Sequence, residues 1–522
     1  MDRVDSEAIF RHRWAILGVL SLSVFLAVVD NTIVNVALPR MSNELNASTS
    51  ELQWIVDAYS LVFAGLLLIG GSLGDRYGRK GALQLGVLSF AVFSVFAGLA
   101  ESTGVLIFAR ALMGMAAAFI FPATLAILTN VFTDDKERAA AIGVWTGVVG
   151  LAVALGPLTG GALLQHYWWG SIFFVNVPVA AISLGMAAWL VPTTRDPAAP
   201  RLDFVGFILS AIGIVALVYT TIEAPGRGWT DPITIVGYVV AVGVLGVFAL
   251  WETLCAEPML DVTLFRNIRF SAASFSITVS FFALFGFIFL ITQYFQLIRG
   301  YDTLSAGVHT LPFAIATGAV APLAPALAAR LGTKIVVPGG LVLMSAGFFV
   351  AATVDANTAF FGPVLASMIL IAVGLGFVAA PSTAAILAVL PKEKAGVGSA
   401  VNDVTRELGG AFGVAVVGAV FSSLYGPHLL ERIRALQLPR EALDRVTASM
   451  GEAMKFAGAA PPRIGGAIVQ GARASFVEGF SRGSIVCGVV VLVGAAFAFA
   501  VLPRRLPDVT AMGIPEPEPA AA

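Results

Sequence analysis

The chain has 522 residues, of which 58% are hydrophobic and only 12% charged, with a formal net charge of -1 and a mean hydropathy of +0.89. About a quarter of the residues in a soluble domain are charged, so the composition excludes an ordinary soluble protein and points to an all-α polytopic membrane protein. No basic cluster is interleaved with aromatics, which excludes nucleic acid as a partner. The two cysteines, Cys255 and Cys487, imply no disulfide framework.

A helix needs about 20 apolar residues to cross about 30 Å of hydrocarbon, and such runs recur about fourteen times. They lie near 14 to 39, 52 to 73, 81 to 100, 105 to 132, 140 to 164, 172 to 191, 204 to 222, 233 to 251, 270 to 296, 306 to 329, 335 to 354, 359 to 390, 398 to 424 and 483 to 502. The runs exceed the roughly ten residues of a barrel strand and lack its alternation. The first run is too long for a signal-peptide core and has no small-residue cleavage site, so it is read as retained.

Taken in chain order, the first span carries Asp30 within "FLAVVDNTIVNVALP". A carboxylate at the bilayer centre costs about 2.5 to 3.5 kcal/mol on insertion scales, so its presence points to function. Asp57 stands in the second span and Arg110 in the fourth. Counted from the outer ends of their spans, all three fall in the outer half at about 1.5 Å per residue. A guanidinium there neutralises one carboxylate and leaves the other to titrate. Asp30 is accordingly read as the proton carrier, coupled to Arg110, against the alternative of a permanent ion pair that only orders the bundle. Asp57 is read as a site for a substrate cation or a second proton, against a satisfied, non-transporting role.

The ninth span, "FSITVSFFALFGFIFLITQYFQ", offers Phe281, Phe282, Phe285 and Tyr294 for stacking on flat or cationic compounds, although lipid-facing rings explain the run equally. His309 opens the tenth span, as a relay or a packing residue. The thirteenth opens with "VNDVTRELGGAFG", where Asp403 and Glu407 share a helix face with Arg406 close by. Glu407 is read as a substrate-cation site or as a local partner of Arg406. The segment from about 425 to 482, with amphipathic stretches such as "LLERIRALQL", is expected to be a long loop capping the outer surface.

Lys and Arg fix the expected orientation. With both termini inside, the inner loops hold Arg76, Arg79, Lys80, Lys136, Arg138, Arg195, Arg201, Arg266, Arg269, Arg330, Lys334, Lys392 and Lys394, and the short outer loops only Arg40, Arg227 and Arg299.

The chain also repeats itself. "DRYGRK" at 75 to 80 matches "ARLGTK" at 329 to 334, and "PATLAIL" at 122 to 128 matches "PSTAAIL" at 381 to 387. Two six-helix halves are thus expected, 1–192 and 257–502, with two inserted spans between them at 193–256 and a cytoplasmic tail at 503–522. A parallel repeat of this kind is a transporter signature.

The motifs resemble those of a known family. "GSLGDRYGRKGAL", with Gly71, Asp75, Arg76, Gly78 and Arg79, resembles the signature loop of the major facilitator superfamily, and "LIFARALMGMAAA" its fourth-helix motif around Arg110. "GVWTGVVGLAVALGPLTGG" resembles the antiporter motif, with Gly156 and Pro157 in place and Ala152 where a glycine is common. "DNTIVNVALP" is similar to the first-helix motif of the fourteen-span drug:proton antiporters. The resemblance implies a conformational switch at Gly71, Asp75, Arg76, Gly78, Arg79, Gly156 and Pro157, although positive-inside anchoring and close helix packing account for the same residues without it.

No phosphate loop, zinc helix or nucleophile elbow is present, which argues against an enzyme and against an intrinsic ATP-driven pump. The expected function is proton-coupled export of hydrophobic, often cationic, drug-like compounds, with export of an endogenous lipid or metabolite as the alternative. The expected setting is the inner membrane of a bacterium, as a monomer among lipids, with no cofactor or metal.

Overall fold

The structure, a computed structural model, describes residues 3–195, 203–256, 258, 260, 262–388 and 395–502. Arg201, Lys392, Lys394 and the tail expected at 503–522 lie outside the described residues, and of Lys136 only the backbone is described. The described residues form helices α1 (Arg3–Leu45), α2 (Thr49–Tyr77), α3 (Arg79–Gly98), α4 (Thr103–Val131), α5 (Asp135–His166), α6 (Ser171–Phe174), α7 (Asn176–Leu190), α8 (Phe204–Arg227) and α9 (Pro232–Leu254). After these come α10 (Ile268–Gln293), α11 (Thr303–Val320), α12 (Ala324–Leu331), α13 (Thr333–Ala351), α14 (Leu365–Ala388), α15 (Ala395–Ile433), α16 (Arg440–Ala448), α17 (Met450–Ala459) and α18 (Pro462–Val501). Among the described residues, thirteen segments are long and apolar enough to cross a bilayer, and α2, bent by 48° between Leu67 and Ile69, makes a fourteenth.

The packing repeats as the sequence does. α1 packs on α4, α5 and α7 as α10 packs on α14, α15 and α18, and α3 packs on α4 and α7 as α13 packs on α14 and α18. The repeated turns also coincide in backbone conformation. Gly78 (φ 129°) separates α2 from α3 and Gly332 (φ 87°) separates α12 from α13, each donating its N–H to the carbonyl four residues earlier at 2.9 Å. L-residues with a side chain avoid this positive φ, so glycine is what lets each chain turn so tightly.

Between the two groups stand α8 and α9, which pack on each other. α8 also lies against α2 and α15, where Val218 and Ile222 are buried with Leu61, Ala411 and Ala415 and covered by Trp54 and Phe412. The two inserted helices are therefore attached over one of the two lines where the halves meet. α5 and α11 form the other.

The segment from about 425 to 482 is mostly helix. α15 continues to Ile433, α18 begins at Pro462, and α16 and α17 lie between them, packed on α15, α18 and α1. Here α15 and α18 interleave buried apolar residues such as Leu429, Ile433, Ile468 and Phe476 with charged ones such as Arg432, Arg473 and Glu478, which lowers the hydropathy without ending either helix. The end of the bundle bearing α16 and α17 is called the capped end below.

Candidate functional site: a buried charge network and the seam between the halves

Asp30, on α1, and Arg110, on α4, form an ion pair with no exposed side-chain surface on either partner. Arg110 Nη1 donates to Asp30 Oδ2, and its Nε donates to the Ile55 carbonyl at 3.1 Å. Its guanidinium lies over the Tyr59 ring, 4.4 Å from the centroid, while Tyr59 donates to the Ala27 carbonyl at 3.3 Å. The other carboxylate oxygen, Asp30 Oδ1, accepts from Asn176 Nδ2 at 2.7 Å, and the same amide nitrogen lies 3.1 Å from Ser94 Oγ. One acid is thus held by groups from α1, α2, α3, α4 and α7. The helices approach closely enough because small residues intervene: a Cβ on Gly114 of α4 would stand 2.3 Å from the Tyr59 carbonyl oxygen of α2.

Asp57 is fully buried, and neither carboxylate oxygen has a hydrogen-bond partner among the described residues. Its neighbour one turn earlier on α2 has partners: Gln53 Nε2 donates to the Val414 and Ala415 carbonyls of α15 at 3.2 and 3.0 Å, while Ser60, buried on the same face, lies near Glu407. Glu407 therefore faces α2 across the seam, whereas Arg406 reaches Asp403 at 3.9 Å. Arg406 thus stands between the two carboxylates of this helix and interacts with both.

Phe281, read as a surface for stacking on flat or cationic compounds, already carries a cation-π contact within the protein. It is 9% exposed, and the Arg406 guanidinium lies 4.6 Å from its ring centroid, so a protein cation already takes that face. Phe285 is half-buried, 6.2 Å from Phe281 and packed against Gly410. His309 sits in an aromatic cluster, 4.4 Å from both Tyr301 and Phe360.

The turn motif is satisfied within the first six spans. Asp75 pairs with Arg79 at 2.6 Å, the Arg79 N–H donates to the Thr194 carbonyl at 2.9 Å, and Lys80 reaches the Ala188 carbonyl at 2.8 Å. Arg76 lies near the Tyr77 ring, and a Cβ on Gly71 would meet Pro122 of α4 at 3.2 Å. In the antiporter-like stretch, a Cβ on Gly156 would stand 1.9 Å from Thr32 Oγ1 of α1, and the Pro157 carbonyl lies against Gly307 of α11.

Hydrogen bonds crossing between the halves gather toward the capped end. Thr303 Oγ1 donates to the Gly161 carbonyl at 3.0 Å, Gln296 Nε2 to the Val36 carbonyl at 2.8 Å and Thr49 Oγ1 to the Ala448 carbonyl at 3.2 Å, while Ser42 and Ser449 share a bond of 2.9 Å. At the other end, beside the Arg13 to Glu137 ion pair, a cavity of about 440 Å³ opens between α1 and α5, lined by Trp14, Leu17, Ser21, Phe25, Val144 and Val148. Ser21 Oγ has no partner there among the described residues. Among the described residues, no group of three or more His, Cys, Asp or Glu is placed to hold a metal ion.

Four residues of this arrangement escaped the sequence reading: Asn176, Ser94, Gln53 and Ser60. All are neutral. Only "NVP", an amide beside a proline in an apolar run, hints at the first.

The geometry has parallels in known proteins. Residues 20–414 match the profile of the Major Facilitator Superfamily. The multidrug efflux pump LfrA of Mycolicibacterium smegmatis is 35% identical over 92% of this chain and 95% of its own length. The methyl viologen resistance protein SmvA of Salmonella typhimurium is 34% identical over 94% and 99%. A bacterial homologue of the human lysosomal transporter Spinster, solved in an inward-facing and unoccupied conformation, shares the fold at a TM-score of 0.64, with 17% identity over 94% of this chain and 98% of the other. The chain is a multi-pass membrane protein and belongs to the major facilitator superfamily, a family of transporters rather than enzymes.

Proposed function

We propose that this chain exports hydrophobic, often cationic, drug-like compounds across the cytoplasmic membrane of a bacterium in exchange for protons. The observation that carries the reading is the fully buried Asp30 to Arg110 pair, together with a second buried carboxylate on α2, Asp57, that has no hydrogen-bond partner among the described residues. One buried acid paired with a guanidinium and another left without a bonded partner suit a carrier that exchanges a proton for a cation. The relatives named for multidrug efflux and methyl viologen resistance support the cargo class.

In this reading Asp30 takes up and releases the proton, and Arg110 sets when it does. Asp57 and Glu407 attract the cationic end of the cargo, and Phe285 contributes apolar surface. Gly71, Asp75, Arg76, Gly78 and Arg79 form the switch at the cytoplasmic face, with Gly156 and Pro157 at the α1, α5 and α11 packing. Both termini are cytoplasmic, the capped end faces outward, and the protein works as a monomer among lipids, in two six-helix halves with α8 and α9 inserted. The bonds gathered at the capped end support a state in which that end is closed.

The driving force suffices. One charge is worth about 2.3 kcal/mol per 100 mV and one pH unit about 1.4 kcal/mol. At ~100 mV and one pH unit, a neutral compound exchanged for one proton reaches a gradient of roughly 500-fold, whereas a monovalent cation reaches only about tenfold because the voltage cancels. A second acidic site is what a higher stoichiometry needs.

The test is uphill efflux from proteoliposomes under an imposed pH gradient, comparing the wild type with Asp30→Asn. Efflux by the wild type that collapses in Asp30→Asn while substrate binding persists is the expected result. Unchanged uphill efflux by the variant overturns the assignment of Asp30.

A further inference from the structure

Asp30 has two oxygens, and the proposed mechanism uses only the one facing Arg110. The other is held by a neutral group. Asn176 is 1% exposed, opens α7 directly after the short α6, and directs its amide nitrogen at Asp30 Oδ1 (2.7 Å) and Ser94 Oγ (3.1 Å). Ser94 is fully buried on α3. A buried polar side chain persists where its hydrogen bonds are made, and this amide makes two across three helices.

We infer that Asn176 is the positioning residue for the Asp30 carboxylate, an amide that serves both protonation states of the acid by exchanging its donor and acceptor ends. The inference rests on the proton-carrier reading of Asp30. An N–H donor favours the charged carboxylate. A neutral carboxyl carrying its proton on Oδ1 needs an acceptor instead, and the amide oxygen of Asn176 becomes one when the group turns by half a rotation about its last torsion. Ser94 accommodates either orientation, because its hydroxyl both donates and accepts. No bond is broken in this step apart from hydrogen bonds, and the proton stays on Asp30.

Arginine is unable to play this part. It carries five donors and no acceptor, so Arg110 supports only the charged form. Among the described residues, the charged or titratable groups that interact with Asp30 are Arg110 from α4 and Tyr59 from α2, and α3 and α7 bring it the neutral Ser94 and Asn176. Asn176 is thus the partner equipped to hold the protonated acid in register while Arg110 is released. Its place at the start of α7 ties that change to the helix directly before the Thr194 carbonyl, which receives the Arg79 N–H of the cytoplasmic turn.

The test reads protonation directly and not only transport. Infrared difference spectra of the purified full-length protein across a pH series, recorded for the wild type and Asp30→Asn, isolate the protonated-carboxyl band belonging to Asp30. In Asn176→Ala the frequency of that band shifts, because the carboxyl proton loses the amide oxygen that accepts it, and Asn176→Ser, which keeps a donor and an acceptor, recovers part of the shift. Ser94→Ala moves it in the same direction by less. Where Asn176→Ala fails to insert, Asn176→Ser and Ser94→Ala carry the comparison. A band that titrates in all variants at an unchanged frequency overturns the inference and leaves the carrier reading intact. A pH series in which no titrating band is lost in Asp30→Asn removes both.

Discussion

Asp30 and Arg110 meet inside the first six spans with no exposed surface on either side chain, and the second terminal nitrogen of Arg110, Nη2, has no hydrogen-bond partner among the described residues. The pair is therefore held from the carboxylate side more completely than from the guanidinium side.

Removing Arg110 alone strands a buried charge, and breaking such a pair from one side costs about 3 to 5 kcal/mol. Arg110→Ala is expected to lower the thermal unfolding temperature in detergent and to abolish transport. The double variant with Asp30→Asn regains stability but not transport. Normal transport by Arg110→Ala would contradict the coupling of the two residues.

Asp57→Asn deletes the buried carboxylate that has no hydrogen-bond partner among the described residues, while keeping its shape. Efflux of a cationic dye should fall by tenfold or more relative to a neutral compound of similar size, measured in the same vesicles. An equal loss for both cargoes would assign Asp57 to proton binding or to folding instead of to charge selection.

Closure of the capped end depends on how near α5 comes to the start of α11. A Cβ on Gly161 would stand 2.5 Å from the Thr303 carbonyl oxygen, and both atoms belong to helices that must seat side by side. Gly161→Val is therefore expected to hold this end apart. Distances between spin labels placed on α5 and α11 at the capped end should lengthen, and active transport should be lost. An unchanged distance distribution would show that the seam tolerates the added bulk.

Topology is testable at exposed positions. Single cysteines at Tyr77 and Leu331, which flank the paired turns, should escape a membrane-impermeant thiol reagent in intact cells and react after permeabilisation. A cysteine at Arg440, on α16 of the capped end, should react from outside. The opposite pattern would invert the orientation.

The repeat was legible in the sequence because glycine at a positive φ and proline within a span leave marks that survive divergence, as Gly78 with Gly332 and Pro122 with Pro381 do. Asp30 and Arg110 were legible because charge in an apolar run is costly. Asn176 and Gln53 were not, since an amide among apolar residues carries no period or spacing of its own. The contact of Phe281 with Arg406 was hidden for another reason: the cation over its ring comes from a helix far along the chain. The helical extent of α15 and α18 was hidden because charged residues such as Arg432, Arg473 and Glu478 lower the mean hydropathy there, although Leu429, Ile468 and Phe476 of the same stretches are buried in the core.

The seam at the capped end is fastened by Gln53, Gln296, Thr303, Thr49, Ser42 and Ser449, amides and hydroxyls that bond mostly to main-chain carbonyls. Dissolved salt screens exposed charges over about 10 Å at 0.1 M, and these neutral bonds offer it nothing to screen. Exposed Lys455 reaches across the same seam to the Asn43 carbonyl at 3.2 Å and to Asn46 Oδ1, so the capped end loosens by that one charged contact in saline surroundings and keeps the rest.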